Sequence, residues 1–221
     1  MDQETIAQAV QWIEQELLPS LKVTSESPDD PVIVRHVPKE WFLLGTGNYA
    51  AVLERGEQSP WIVKVYGKDR PGIEEEAEVY ERLGEHPAYA TCYYKGEGYL
   101  ILKRLLGTNL YDCLLRGIQI PPSVISDVDE ALAYARSRGL NPRDIHGKNI
   151  LNDQGRGRVV DVSDFLLQGT DHVWRDTRQA YRWIYRPLLY RFPIRLPHKL
   201  LEGFRKVYRK FRKRSRHHLD A

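Results

Sequence analysis

One lysine constrains this chain more than any other residue: Lys64, in the middle of the run W-I-V-K-V-Y at 61–66. β-Branched and aromatic residues in that density make a strand with a covered face. An ammonium there has two fates. It can snorkel from an exposed face with its stem lying on the sheet, or it can be buried, at a cost of several kcal/mol unless the fold carries an anion to it.

The neighbouring sequence supplies both a sheet and an anion. Before the lysine run stand W-F-L-L and A-A-V-L-E, separated by G-T-G-N and R-G-E-Q-S-P, so residues 41–66 read as three antiparallel strands. Pro71 and Gly72 then open I-E-E-E-A-E-V-Y-E-R-L, with Ile73, Ala77, Tyr80 and Leu83 on one helical face, and Gly84 and Pro87 close it. Glu76 lies on the inner side of this helix and is the expected partner of Lys64. Glu75 is the alternative, because the run E-E-E leaves the register open by one. Strands at 91–95 and 98–102, joined by K-G-E-G, complete a five-stranded antiparallel sheet with one helix.

The rest is mostly helical. Helices are expected at 109–115 and 122–137, the second stopped by Gly139, and two short strands, N-I-L-N and R-V-V-D-V, are joined by D-Q-G-R-G. At the N-terminus, residues 1–18 are acidic with apolar residues at helical spacing and no basic leader, and the Ser/Asp/Pro cluster at 25–31 reads as a linker. The compact domain is therefore expected to start near Val37. Cys92 and Cys113 match no disulfide or zinc spacing, which suits a reducing compartment. No stretch has the roughly eighteen apolar residues that cross a bilayer.

Three clusters carry chemistry. The turn L-G-T-G-N-Y-A-A-V at 44–52 sits between two strands, where its glycines either make a structural hairpin or let backbone N–H groups approach phosphate oxygens. Lys64 is the second. The third is P-R-D-I-H-G-K-N-I-L at 142–151 followed by V-V-D-V-S at 159–163. It offers a carboxylate at Asp144, an amide at Asn149 and a second carboxylate at Asp161, a set that suits Mg2+-assisted phosphoryl transfer. Taken singly, each is also an ordinary turn-capping residue.

Taken in order, these elements resemble the protein kinases: Gly-rich loop, strand lysine, helix glutamate, R-D-x-x-x-x-N loop and a D-F-G-like D-V-S. The resemblance covers about residues 40–165. It implies a two-lobed α+β fold, with a sheet-rich N-lobe at 37–103, a catalytic core at 104–170, and flanking regions at 1–36 and 171–221, 37–200 forming one kinase-like domain. It implies ATP and Mg2+ as cofactors. Leu44, Gly45, Thr46, Gly47, Asn48, Tyr49, Ala50 and Val52 would cover the nucleotide, Lys64 would pair with its α/β oxygens, and Glu76 would hold Lys64. The hinge at 102–105, with Lys103 and Leu105, would meet adenine. Asp144 would orient and deprotonate the acceptor hydroxyl, Lys148 would reach the γ-phosphate, and Asn149 and Asp161 would hold the metal.

Departures from the pattern bear on the acceptor. Pro142 replaces the histidine before the arginine, Ser163 replaces the glycine of D-F-G, and Ala50 replaces a third loop glycine. His146 matches the D-x-H-x-x-N form of kinase-fold enzymes that phosphorylate small molecules, or hydrogen-bonds within its loop. Only 58 residues follow Ser163, with no A-P-E segment, an economy shared with the RIO and bacterial Kdo kinases. The expected function is a minimal serine/threonine protein kinase. The alternatives are a small-molecule, sugar or lipid kinase and a nucleotide-binding pseudokinase scaffold.

Charge divides the chain. Residues 1–164 hold 18 basic and 26 acidic groups, residues 165–221 hold 15 and 4, so a segment of −8 precedes one of +11. Val173, Tyr181, Ile184 and Leu188 are placed to pack while Arg175, Arg178, Arg182 and Arg186 stay near solvent, and a second stripe runs from Leu200 through Phe204, Val207, Tyr208 and Phe211. Such helices pack on the acidic body of the chain, lie on an anionic membrane surface or bind nucleic acid. The location expected is cytoplasmic, with peripheral contact to a membrane.

Overall fold

The structure, a computed structural model, describes residues 1–27, 30–169, 172–192 and 194–203. Helix α1 (Gln3–Trp12) starts where the Asp2 carboxylate accepts the Thr5 N–H at 2.8 Å, and it runs on as a wider π-type turn, Ile13–Leu17. Strands β1 (Lys22–Thr24) and β2 (Ile33–Arg35) pair antiparallel. Then come β3 (Trp41–Thr46), β4 (Ala50–Arg55), β5 (Trp61–Tyr66), helix α2 (Ile73–Leu83), β6 (Cys92–Gly96) and β7 (Tyr99–Lys103). The last five strands form one antiparallel sheet in the order β3-β4-β5-β7-β6.

Period-two alternation gives this sheet two covered faces, each with its own core. Val63 and Val65 of β5 point to one face, where they pack with Leu53, Trp41 and Trp61 against Ala9, Ile13 and Leu17 of the N-terminal helix. Lys64 and Tyr66 point to the other, toward α2. The core thus begins at Ala9, upstream of the expected start near Val37. The acidic N-terminal helix is acidic only on its outer side, and its apolar side closes a sheet face that would otherwise stay wet.

Beyond the sheet lie β8 (Thr108–Asn109), α3 (Leu110–Arg116), α4 (Pro122–Ser137), β9 (Ile150–Asp153) and β10 (Arg156–Val159), with β10-β9-β8 forming a small antiparallel sheet. Gly157 lets β10 lie directly on α4: a Cβ there would stand 2.4 Å from the Val124 carbonyl oxygen. β10 ends at Val159, so Asp161 follows the strand instead of lying within it. The second core joins α2, α3 and α4 through Val79, Leu83, Cys113, Val128 and Leu132 and takes in Phe165.

Helix α5 (Val173–Ala180) continues as a π-type segment, Tyr181–Leu189, that contains Pro187. It is fastened to the body by Trp174 Nε1–H to Asp129 at 2.7 Å and by the Tyr181 hydroxyl to the Ile120 carbonyl at 3.0 Å. Val173 and Tyr181 pack as expected, but Ile184 and Leu188 are exposed, because the tyrosines take the inward side of the helix. Of the second expected stripe, Phe204, Val207, Tyr208 and Phe211 lie outside the described residues.

Candidate active site

Glu76 has no exposed surface, and both of its carboxylate oxygens lie on the Lys64 ammonium, at 2.8 and 2.6 Å. The helix register that the sequence left open is therefore resolved in favour of Glu76; Glu75 faces solvent. Tyr66, two residues along β5 and so on the same face, donates its hydroxyl to Glu76 as well. Asp161 approaches the same ammonium from the other lobe, Oδ1 to Nζ 3.5 Å. Burial pulls the Lys64 pKa down, but the charges of Asp161 and Glu76 outweigh it and hold the ammonium well above the ordinary lysine range. Burial likewise opposes ionisation of Asp161, yet Lys64 and the Ser163 N–H keep its carboxyl below the usual range. The result is a locked cation with a carboxylate on either side.

The loop after α4 is organised around one strained residue. Asp144 has φ 53°, a left-handed backbone rare outside glycine. That turn presents its carbonyl to the His146 N–H at 2.9 Å and to the Asn149 side-chain amide at 3.1 Å. Asn149 thereby commits its NH2 end and keeps its amide oxygen for another donor or a cation. The same residue's carbonyl accepts the Val160 N–H at 3.1 Å, which ties the loop to the segment leading into Asp161. His146 Nε2 lies 3.6 Å from Asp144 Oδ2, and its buried Nδ1 has no hydrogen-bond partner among the described residues. Lys148 is exposed on this loop with Nζ 4.8 Å from the centre of the Tyr111 ring.

Two contributors escaped the sequence reading. Tyr66 was legible from strand alternation once Lys64 was singled out. Asp164 was not, because D-V-S-D gives no sign of which aspartate turns inward. Burial, together with the charges of Asp161 and Asp144, raises the Asp164 carboxyl above the usual range, so three carboxylates share one neighbourhood.

Over the sheet edge, the 44–50 hairpin turns on the Gly47 N–H to Ala50 carbonyl bond at 2.9 Å. Leu44, Gly45, Thr46, Asn48 and Tyr49 are exposed, with open space around Gly45, while Val52 pairs with Lys64 across β4 and β5. The hairpin is tied at two points: Val32 N–H to the Gly47 carbonyl at 2.9 Å, and Gly67 N–H to the Tyr49 carbonyl at 3.0 Å. In the expected hinge, the Lys103 N–H goes to Thr91 at 2.8 Å and the Arg104 N–H to Pro60 at 3.0 Å. Leu105 is the next residue, and its backbone has no partner among the described residues. Chemically, the arrangement can hold a polyanion between a fixed ammonium and open backbone N–H groups, with carboxylates facing it.

No family model matches the chain. YrzF of Bacillus subtilis (strain 168), provisionally named a serine/threonine-protein kinase, is 33% identical over 180 residues, which is 80% of this chain and 83% of that protein. Two proteins of Homo sapiens match over a smaller share of their own length. Ribosomal protein S6 kinase alpha-2 is 28% identical over 55% of this chain and 18% of its own, and serine/threonine-protein kinase DCLK3 is 25% identical over 65% of this chain and 25% of its own. A crystal structure of Rad53 1-466 in complex with AMP-PNP aligns with 61% of this chain and 47% of that one at TM-score 0.44 and 21% identity. On the extent of the match to YrzF, this chain belongs to the protein-kinase-like superfamily of phosphotransferases.

Proposed function

We propose that the enzyme is a minimal serine/threonine protein kinase that uses ATP and Mg2+ to phosphorylate a hydroxyl. The observation that carries this reading is the convergence of Glu76 and Asp161, 85 positions apart in sequence, on the largely covered ammonium of Lys64 at 2.6 and 3.5 Å. A lysine so held keeps its charge and position, as a group that orients a triphosphate must. Among the described residues no group of three His, Cys, Asp or Glu side chains is arranged to hold a metal ion; the charges of Asp161 and Asp144 both act on Asp164, and an added divalent cation would relieve that repulsion. Asp161 and the amide oxygen of Asn149 would hold the ion, which would neutralise charge on the transferred phosphoryl group. The 44–50 hairpin and Val52 form the roof over the nucleotide, and Leu105, two residues after Lys103, presents the hinge backbone to adenine.

In this reading Asp144 orients the acceptor hydroxyl and takes its proton, and Lys148 supplies charge at the γ-phosphate after leaving Tyr111. The basic region 171–221 is the surface by which this cytoplasmic enzyme meets an anionic partner. A second reading, a kinase of small hydroxyl compounds, is favoured by His146, whose ring stands beside the Asp144 carboxylate.

Labelled ATP incubated with the enzyme and a lysate, then resolved into protein, lipid and small-metabolite fractions, tests the acceptor. Label in protein on serine and threonine supports the first reading, and label confined to small metabolites supports the second. Unchanged turnover in Asp161→Ala removes both.

A further inference from the structure

The π-type segment Tyr181–Leu189 and the chain that follows it expose apolar side chains on the side where a helix in water carries polar ones. Its inward side is taken by Tyr181 and Tyr185, whose hydroxyls bond the Ile120 carbonyl and N–H at 3.0 and 2.9 Å. Its outward side carries Trp183, Ile184 and Leu188, and Phe192 and Ile194 follow; Trp183, Leu188 and Phe192 are 69%, 64% and 67% exposed. Five large apolar side chains bare to solvent within twelve residues are a binding surface or a liability. Around them stand Arg182, Arg186, Arg191 and Arg195, all exposed. Between Asp176 and Glu202 the chain has six Lys and Arg residues and no Asp or Glu.

We infer that this face docks the enzyme on an anionic phospholipid bilayer, with Trp183, Ile184, Leu188 and Phe192 entering the headgroup boundary and the arginines meeting lipid phosphates. The inference rests on the reading of the basic region as the surface that meets an anionic partner, and it names that partner. A single-stranded nucleic acid would satisfy the arginines with its phosphates and stack its bases on Trp183 or Phe192, but it offers nothing to Ile184, Leu188 or Ile194. The boundary of a bilayer accepts all of them: aliphatic groups gain by leaving water, indole rings favour the headgroup level, and cations concentrate at an anionic leaflet. Arg182 lies over the Trp183 ring at 5.3 Å, so one side chain carries charge next to the one that inserts.

The docked segment also reaches the candidate active site. Leu196 N–H bonds the Leu114 carbonyl at 2.9 Å and the Tyr111 hydroxyl bonds Glu202 at 2.9 Å, both on α3, whose Tyr111 N–H in turn bonds Gly147 at 3.1 Å. The Asp144 loop is thus two contacts away from the lipid face.

The experiment is vesicle co-sedimentation of the full chain, wild type against the triple variant Trp183→Ser, Leu188→Ser, Phe192→Ser, which keeps every arginine. Vesicles of phosphatidylcholine mixed with phosphatidylglycerol are compared with phosphatidylcholine alone and with single-stranded RNA. Wild type is expected to bind the mixed vesicles and not the neutral ones, with a blue shift of tryptophan fluorescence that Trp183→Phe removes. The triple variant, whose altered residues touch solvent and leave the thermal midpoint unchanged, is expected to lose about ten-fold or more in vesicle affinity. Equal vesicle affinity in the triple variant overturns the inference while leaving a purely electrostatic anion surface intact. Tighter binding to RNA than to mixed vesicles overturns it, as does a concentration-dependent dimer that the triple variant abolishes. Absence of binding to either anion removes the inference together with the reading it rests on, whereas ATP turnover, measured separately, bears only on the kinase chemistry.

Discussion

Tyr66 and Lys64 present their polar ends to the same carboxylate, that of Glu76, from alternate positions on one strand. Glu76 is therefore held by two donors in a place water does not reach. Glu76→Ala strands the ammonium against Asp161 alone and should cost about 3–5 kcal/mol in urea unfolding, the range for a broken buried ion pair. Tyr66→Phe removes one hydrogen bond and should cost about 1–2 kcal/mol. A loss below about 1 kcal/mol in Glu76→Ala would show that the pair is not buried as described.

The left-handed backbone at Asp144 separates its structural cost from its chemical role. Both Asp144→Gly and Asp144→Ala should abolish phosphoryl transfer while nucleotide still binds. Glycine accepts φ 53° without strain, and alanine does not. The glycine variant should therefore be the more stable of the two by about 1 kcal/mol. Equal unfolding midpoints would show that the loop relaxes out of this conformation.

The titrating groups act in opposite directions. Asp161 is held below its ordinary 3.8, so it contributes stability above that pH and loses it as pH falls through the folded value. Lys64 is raised from 10.5 and contributes below that value, losing its share only as alkali approaches the folded one. Asp164 is raised from 3.8 and so favours the fold at acid pH and opposes it above. Asp164→Asn should raise the urea midpoint at pH 7, leave it unchanged at pH 3, and move the acid limb of turnover to lower pH, since the Asp161 carboxyl then loses a neighbouring negative charge. An acid limb that moves upward in the pH–rate profile would contradict this account.

Ile13 and Leu17 are fully buried against the sheet. Replacing either with alanine should cost about 2–4 kcal/mol. Deleting residues 1–20 should expose Val63 and Val65 and leave a chain that aggregates or binds apolar dyes. A deletion variant with an unchanged melting midpoint would show that the sheet closes without the helix.

Much of this was legible in the sequence, for physical reasons that differ by region. Strands β3 to β7 and helix α2 follow from alternation and from Gly/Pro punctuation, and Glu76 follows from the rule that a buried lysine needs an anion. The role of residues 1–18 in the core was not legible, since acidic residues at helical spacing do not say what the opposite face will cover. The exposure of Ile184 and Leu188 escaped for a related reason: periodicity finds an apolar side, but Tyr181 and Tyr185 compete for the same inward position and win through hydrogen bonds to Ile120. Asp164 escaped because its inward turn is set after β10 has ended, where no period applies.

The bond from Val32 to Gly47 has a mechanical consequence. A flap whose tip is tethered to the residue just before β2 cannot swing on its own hinge, so raising it either severs that tether or drags the β1–β2 hairpin along. Movement of the 44–50 hairpin is thereby coupled to a segment outside the glycine turn itself, and the freedom of that turn becomes a property of the residues around Val32 as much as of its glycines.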